Sequence, residues 1–140
     1  MLEAGFPNLN GNYIKTSDAD SRYNCIAWAY GENNRWFWPK KGSYWPAGVT
    51  REETVKAFME LFASIRYENC DSHLFEPGYE KIAIYALDGV PTHAARQLNN
   101  GKWTSKLGSD IDIEHDTVEC LEGPFYGNAV VFMKRGKSSH

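Results

Sequence analysis

Residues 21–31, Ser-Arg-Tyr-Asn-Cys-Ile-Ala-Trp-Ala-Tyr-Gly, begin with polar residues and continue as a short apolar segment that ends at a glycine. Ser21 or Asn24 is a favourable N-cap, and Gly31 is a favourable residue just past a helix C-terminus. The pattern therefore predicts a helix with Cys25 in its first turn. Unpaired backbone N–H groups and the positive end of the helix dipole favour a thiolate over a thiol at that position.

A histidine far downstream is a candidate base for that thiol. His93 lies in a strand-like stretch, 92–98. A cysteine on a helix and a histidine on a strand together indicate a cysteine nucleophile with a histidine general base. Each residue also has a purely structural interpretation: Cys25 as a small buried hydrophobe, and His93 as a sheet histidine with satisfied hydrogen bonds.

A loop rich in tryptophan and proline and a second helix follow the first helix. Glycines and prolines over 36–48 predict an ordered loop. Thr50 with Glu53 three residues later forms a capping box, and apolar residues at every third or fourth position over 55–65 predict an amphipathic helix. The helical half of the chain therefore covers about residues 12–67.

Strands fill the second half, at about residues 80–135. Its short apolar runs are separated by Asp88-Gly89 and by Asn99-Asn100-Gly101, which are typical turn sequences. Short connections favour antiparallel pairing of about five strands. Helices first and a meander of strands after predict a single α+β domain over residues 1–140, with N-terminal helices packed on one antiparallel sheet.

Composition and charge narrow the function classes. The chain has 140 residues and a net charge of −3, which argues against binding to a nucleic-acid backbone. It contains neither a run of 18 apolar residues, as a membrane span requires, nor a basic and apolar N-terminal segment typical of a cleaved signal. We therefore expect no nucleic-acid or membrane partner and a cytoplasmic location. Export as an effector without a cleavable signal fits the same sequence, and the oligomeric state is left open.

The three cysteines, Cys25, Cys70 and Cys120, lie at separations that match no zinc or redox motif. Free thiols in a reducing compartment are therefore favoured over a disulfide framework. Cys70, Asp71 and His73 are close in sequence, but this local set lacks a fourth ligand at the usual spacing. We expect no metal and no cofactor.

The order of these elements over about residues 12–134 resembles the NlpC/P60-like branch of the papain-like cysteine peptidases. In that group the nucleophile follows a Tyr-Asp-Cys-like triplet at a helix start, and here the triplet is Tyr23-Asn24-Cys25. The base of that group lies on the following stretch of sheet, and a polar residue on the next strand orients its imidazole. The resemblance implies a papain-like α+β fold and a peptidase or amidase activity. Asn24 departs from the group, because an acid is usual there.

The chain is also similar to a set of bacterial domains with three short motifs. These are Asn-Cys-Ile-Ala-Trp-Ala at 24–29, His-Ala-Ala-Arg-Gln at 93–97 and Ser-Lys-Leu-Gly at 105–108. This second similarity implies no activity.

Two residues are alternative candidates for the side chain that orients His93. Ser105 lies twelve residues further on, across a turn, where the resemblance places the orienting polar residue. His115 is the alternative, since its ring would make the better partner although its path relative to His93 is not fixed by the sequence. Their structural interpretations are a solvated strand position for Ser105 and an exposed strand end for His115.

Four residues are candidates for contact with the substrate. Tyr23 is a candidate oxyanion donor beside the Cys25 amide, with Asn24 next to it. Trp36 and Trp38 are candidates for the wall of a substrate cleft, since aromatic walls suit extended peptides. The structural interpretations are packing at the helix entry for Tyr23 and core filling for the tryptophans.

The sequence thus predicts a thiol hydrolase or acyl transferase that acts on a peptide or another amide or ester. Cys25 would attack the carbonyl, His93 would take and return the proton, and Ser105 or His115 would hold the imidazole. Hydrolysis, deamidation and transfer share this acyl-thioenzyme. The alternative is a catalytically inactive module that binds a peptide or protein partner through the tryptophan-rich loop.

Overall fold

The computed structural model of the chain describes residues 6–107 and 109–137. Its main element is one antiparallel sheet. The strands are β1 (Tyr13–Ser17), β2 (Glu68–Cys70), β3 (Tyr79–Leu87), β4 (Val90–Gln97), β5 (Trp103–Lys106), β6 (Asp112–His115) and β7 (Asn128–Gly136). They lie in the order β1-β6-β5-β4-β3-β7-β2. The described residues also form two α-helices, α1 (Cys25–Tyr30) and α2 (Val55–Ala63), and a 3-10 helix at Val118–Leu121.

The first helix begins and ends as the sequence predicts. The Asn24 side chain accepts a hydrogen bond from the Ala27 amide at 3.1 Å, so Asn24 and not Ser21 is the N-cap. Gly31 follows the helix with φ 109°, a left-handed conformation that glycine adopts at little steric cost.

The second helix begins later than its predicted capping box. Its N-cap is Thr54, whose side chain accepts from the Ala57 amide at 3.2 Å. Thr50 instead donates from its hydroxyl to Glu60 Oε1 at 2.8 Å, so it ties the preceding loop to the helix surface. The predicted box at Thr50 and Glu53 is therefore wrong, while the apolar face of the helix is correct.

The predicted fold class is wrong. The structure is a mostly β protein with seven strands in one sheet and two short helices, and not an α+β domain with N-terminal helices packed on about five strands. The five predicted strands correspond to β3–β7. The missed strands, β1 and β2, are short and mostly exposed, so they carry no alternation of apolar and polar residues for a pattern to detect. β1 also falls within the predicted helical half.

The strand order departs from a simple meander. The pairs β3–β4, β4–β5 and β5–β6 follow chain order, but β7 pairs with β3 and β2 rather than with β6. The last strand therefore lies inside the sheet. Four of its apolar residues are buried or half-buried: Ala129, Val131, Phe132 and Met133.

Apolar residues cover both faces of the sheet. On one face, α1 and α2 pack on Ile82, Ile84 and Ala94. On the other face, residues from the N-terminal segment and the 3-10 helix pack on a second group that includes Tyr85 and Trp103. Because side chains alternate along a strand, neighbouring residues of β4 face different cores.

None of the helices in the described ranges has the length and apolar character to cross a membrane. Two predictions fall partly outside the described residues. The expected absence of a signal segment concerns positions 1–5, among others, and the Ser-Lys-Leu-Gly motif ends at Gly108.

Candidate active site

Cys25 lies at the start of α1, with its thiol towards β4. Its side chain is buried, with 5% of the residue exposed. The backbone amide of Ala94 on β4 is within hydrogen-bonding reach of the thiol sulfur. The thiol is thus held next to the residue that follows His93.

A cavity of about 430 Å³ opens at Cys25. The helix start, the sheet and the segment before β7 line one side with Asn24, Cys25, Thr92 and Tyr126. The loop after α1 lines the other side with Trp36, Trp38, Lys40, Lys41 and Ser43. The cavity therefore extends from solvent to Cys25.

His93 is fully buried on β4, and its ring is held between two tyrosines. The Tyr126 ring stacks on it at a centroid distance of 4.2 Å and an interplanar angle of 9°, and the Tyr85 ring meets it at 5.2 Å and 67°. Tyr126 also lines the cavity beside Cys25. One aromatic ring therefore contacts the histidine and borders the space in front of the thiol.

The sheet separates close to His93. β4 and β5 are in register at Arg96–Thr104 and at Gln97–Trp103, and their register pairs do not continue towards His93. The Ser105 hydroxyl bridges the strands instead, through its contact with the imidazole. This separation matters because Cys25 and Ala94 belong to the core under α1, whereas His93 alternates with Ala94 and faces the other side.

Four residues form a polar network in series, and three of them, His93, Ser105 and His115, are buried. His93 Nε2 lies 2.9 Å from Ser105 Oγ, which lies 2.8 Å from His115 Nε2. His115 Nδ1 lies 2.8 Å from the Thr117 carbonyl oxygen. Ser105 and His115 are both buried, so neither is the solvated or exposed residue of the structural interpretations. The two candidates for the orienting role act in series, with Ser105 in direct contact with His93.

The Thr117 carbonyl determines the tautomer of both histidines. A carbonyl only accepts, so His115 Nδ1 carries a proton and, in the neutral ring, Nε2 accepts. Ser105 then donates to His115 and accepts from His93 Nε2–H. His93 Nδ1 is left as an unprotonated acceptor, and this buried atom has no hydrogen-bond partner in the described residues.

Burial favours the neutral forms of the three titratable groups. It lowers the pKa of His93 well below the usual value, and the nearby His115 lowers it further. Burial lowers the pKa of His115 to about 4. Burial also raises the pKa of the Cys25 thiol to about 11, despite the nearby amides of Ala94 and Ile26. The low thiol pKa predicted from the helix start is therefore wrong for the unliganded protein, because desolvation of the thiolate outweighs the helix end.

The Tyr23 and Asn24 side chains have hydrogen-bond partners other than the predicted oxyanion. The Tyr23 hydroxyl donates to Asp112 Oδ2 at 2.7 Å, away from the thiol. Asn24 Oδ1 accepts from the Ala27 and Phe37 amides, both at 3.1 Å, and its Nδ2 donates to the Phe37 carbonyl at 2.7 Å. Both side chains are thus occupied in fixing the helix start, Tyr23 against β6 and Asn24 against the tryptophan-rich loop.

Trp36 and Trp38 do line the cavity, as the cleft-wall interpretation predicts. They alternate with Phe37, which is fully buried and packs in the core. Both tryptophans are half-buried, so their rings are partly open to the cavity. Of the loop's aromatic residues, it is Phe37 and Trp45 that fill the core.

Sequence reasoning missed Tyr126, Lys41 and the carbonyl of Thr117. Tyr126 sits in an irregular Pro-Phe-Tyr-Gly segment, where no periodicity marks a functional side chain. A backbone carbonyl leaves no signal in a sequence at all. No group of three or more His, Cys, Asp or Glu side chains within 6–107 and 109–137 is placed to hold a metal ion.

Comparison with known proteins identifies a family without assigning an activity. No curated protein and no solved structure matches the chain. The family model described as "Domain of unknown function (DUF7689)" matches residues 14–134, which include both helices, five complete strands (β2 to β6), most of β1 and β7, and every residue of the candidate site. The chain therefore belongs to the DUF7689 family.

Proposed function

We propose that the protein is a cysteine hydrolase or acyl transferase that cleaves or transfers an amide or ester bond at Cys25. The observation that carries the proposal is His93 Nδ1, a buried acceptor with no partner in the described residues, on the residue that precedes Ala94, whose amide is within reach of the Cys25 thiol. An unsatisfied buried acceptor costs about 1–3 kcal/mol, and a catalytic role is one reason for a protein to keep such a group. A hydrogen bond donated by the thiol would satisfy it.

The order of the site residues supports the same chemistry. A cysteine at a helix start, a histidine on a strand and a polar residue on the next strand follow the order in NlpC/P60-like peptidases. This likeness concerns the residues of the site and not the class of fold.

The proposed reaction begins with two neutral groups. The substrate enters the cavity, and the thiol moves towards His93 Nδ1 where β4 and β5 separate. The Cys25 sulfur attacks the carbonyl carbon as its proton passes to Nδ1, which the tautomer of His93 leaves unprotonated and able to accept it. Catalytic hydrogen bonds are often absent before substrate binds, which agrees with an unpartnered Nδ1.

The imidazolium then returns its proton to the leaving amine or alcohol, the carbon–nitrogen or carbon–oxygen bond breaks, and an acyl-thioenzyme remains. Water or another amine attacks that thioester and regenerates the thiol. Throughout, Nε2–H of His93 donates to Ser105, which keeps Nδ1 directed as the base.

Acylation by p-nitrophenyl acetate tests the proposal. In this reaction the Cys25 sulfur gains an acetyl group, p-nitrophenolate leaves, and the thiol proton passes through His93 to solvent. Mass spectrometry of the digested protein should find the acetyl group on Cys25 far ahead of Cys70 and Cys120. His93→Ala should slow acylation of Cys25 by about a hundredfold or more, whereas Cys70→Ala should leave it unchanged.

Equal acetylation of the three cysteines would reject Cys25 as a nucleophile. An unchanged Cys25 rate in a folded His93→Ala variant would show that the thiol and the imidazole do not cooperate.

A binding module is the second candidate, and the raised pKa of Cys25 favours it. A thiol with a pKa of about 11 is almost entirely protonated at pH 7, as expected for a cysteine that only packs. In that case Trp36 and Trp38 would bind a peptide segment without chemistry. The acylation experiment separates the two functions, because only the enzyme gives an acyl group on Cys25 that depends on His93.

A further inference from the structure

Two lysines give the cavity at Cys25 a charge opposite to that of the whole protein. Lys40 and Lys41 line it, and none of the nine described residues that line it is acidic. The protein carries a net charge of −3. A cleft of one sign, bordered by apolar walls, concentrates the field and raises the local concentration of ligands of the other sign.

Lys41 is the cation with the greater freedom to meet a ligand. Lys40 Nζ lies 3.6 Å from Glu53 Oε2, an ion pair just outside the lining. Lys41 has no ion pair, hydrogen bond or aromatic contact with the described residues, and its side chain is exposed. Its ammonium group can therefore turn towards a ligand without breaking an interaction.

The turn that carries both lysines is held in place. The Ser43 amide donates to the Lys40 carbonyl at 3.1 Å, and Arg51 Nη1 donates to the same carbonyl at 2.9 Å. The Trp38 and Tyr44 backbones are also hydrogen-bonded at 3.1 Å. The cations are thus presented from a fixed backbone beside the indole rings of Trp36 and Trp38.

We infer that the substrates of Cys25 are amides or esters that carry a carboxylate next to an apolar group. The apolar group packs on the tryptophans, and the carboxylate pairs with Lys41, with Lys40 contributing at longer range. This inference rests on the proposed function for the reaction itself, but the preference for anions follows from the cavity alone.

The alkylating reagents iodoacetate and iodoacetamide test the preference without any need for turnover. They have nearly the same size and differ in charge, so the ratio of their rates at one thiol reports the local field. Site-resolved mass spectrometry should give an iodoacetate to iodoacetamide ratio at Cys25 at least about threefold above that at Cys70, as expected for a cationic cleft. Lys41→Ala should remove most of this excess. Adding 0.3 M salt should also reduce the excess, because salt shortens the Debye length to less than about 8 Å and screens the lysine charges.

Lys56→Ala is the matched control, since Lys56 lies on α2 and lines a different cavity; it should leave the ratio unchanged. N-acetylphenylalanine should also protect Cys25 from iodoacetamide better than N-acetylphenylalaninamide does. Equal ratios at Cys25 and Cys70, or a Lys41→Ala protein with the wild-type ratio, would overturn the inference. Failure of the His93→Ala test leaves this ratio unaffected, so the two proposals fail separately.

Discussion

Thr117 contributes only a backbone carbonyl to the candidate site, yet that carbonyl determines which nitrogen of His93 is free. Three hydrogen bonds in series connect this carbonyl to His93, by way of His115 and Ser105. Ser105 is a weaker orienting partner than a carboxylate, because a hydroxyl carries no charge to stabilise an imidazolium. The network thus favours a neutral His93 and selects its tautomer.

Ser105→Ala should therefore lower the rate of Cys25 acylation more than His115→Ala does. The serine variant loses both hydrogen bonds and leaves His93 free to adopt the other tautomer, at an expected cost of at least about tenfold in rate. His115→Ala keeps the contact of Ser105 with His93 but frees the hydroxyl to rotate. Acylation rates across pH, together with melting temperatures, separate positioning from loss of fold.

Thr104→Ala is a control for that series. It changes the neighbouring residue of β5, whose hydroxyl instead accepts from Trp28 Nε1 at 3.0 Å. If Ser105→Ala acylates at the wild-type rate, Ser105 has no positioning role.

For single residues, the sequence allowed us to predict which side chains belong to the candidate site, but not the direction in which each side chain points. Cys25, His93, Ser105 and His115 could be selected because thiols, imidazoles and hydroxyls have few other uses in such a pattern. The hydroxyl of Tyr23 was misassigned, because its direction depends on Asp112, a partner 89 residues away. Long-range contacts of this kind leave no local pattern.

Elements that approach each other closely depend on single glycines, and Gly127 is the clearest case. It has φ +73°, and a Cβ at this position would lie 2.0 Å from the Ala86 carbonyl oxygen of β3. Its amide and carbonyl are both hydrogen-bonded to Gly123, at 2.8 and 3.0 Å. It also follows Tyr126, so the placement of the ring on His93 depends on this close approach.

Gly127→Ala should destabilise the fold by about 2–4 kcal/mol, since it combines a left-handed alanine with a clash against backbone. Urea unfolding measures the change. Gly136→Ala is the matched control, because its Cβ would have open space and its backbone is not left-handed. Equal stability of the two variants would show that β3 and the segment before β7 are not packed as described.

Elements with a strong apolar pattern could be predicted, and those without one could not. The β3–β4 hairpin follows from its apolar strands and from Asp88-Gly89, which adopt φ 52° and 81° as a tight turn requires. β1 and β2 form because neighbouring strands supply hydrogen-bond partners, and not because of their own residues. Their omission, together with the shortness of the helices, accounts for the wrong fold class.

For the whole molecule, two buried neutral histidines make stability depend on pH. An unfolded histidine has a pKa of about 6.5, whereas His115 has a folded pKa of about 4 and His93 is lowered in the same direction. The unfolded state therefore binds more protons as the pH falls below about 6.5, and the free energy of unfolding falls with it.

Lowering the pH from 7.5 to 5 should reduce the free energy of unfolding by about 2 kcal/mol for His115 alone. His93 adds to this loss. Urea titrations at the two pH values measure it, and His115→Gln should show a smaller difference than the wild type. The same unfolding free energy at pH 7.5 and pH 5 in the wild-type protein would contradict the burial of these rings in neutral form.

The position of β7 has a consequence for how the protein is made. A ribosome delivers β3 long before β7, yet β7 fills the edge of β3 and joins β2 to the sheet. The nascent chain therefore exposes an unpaired, apolar edge while the later residues are still being translated. Tyr126, which covers His93, emerges just ahead of β7. The candidate site is thus completed among the last events of biosynthesis.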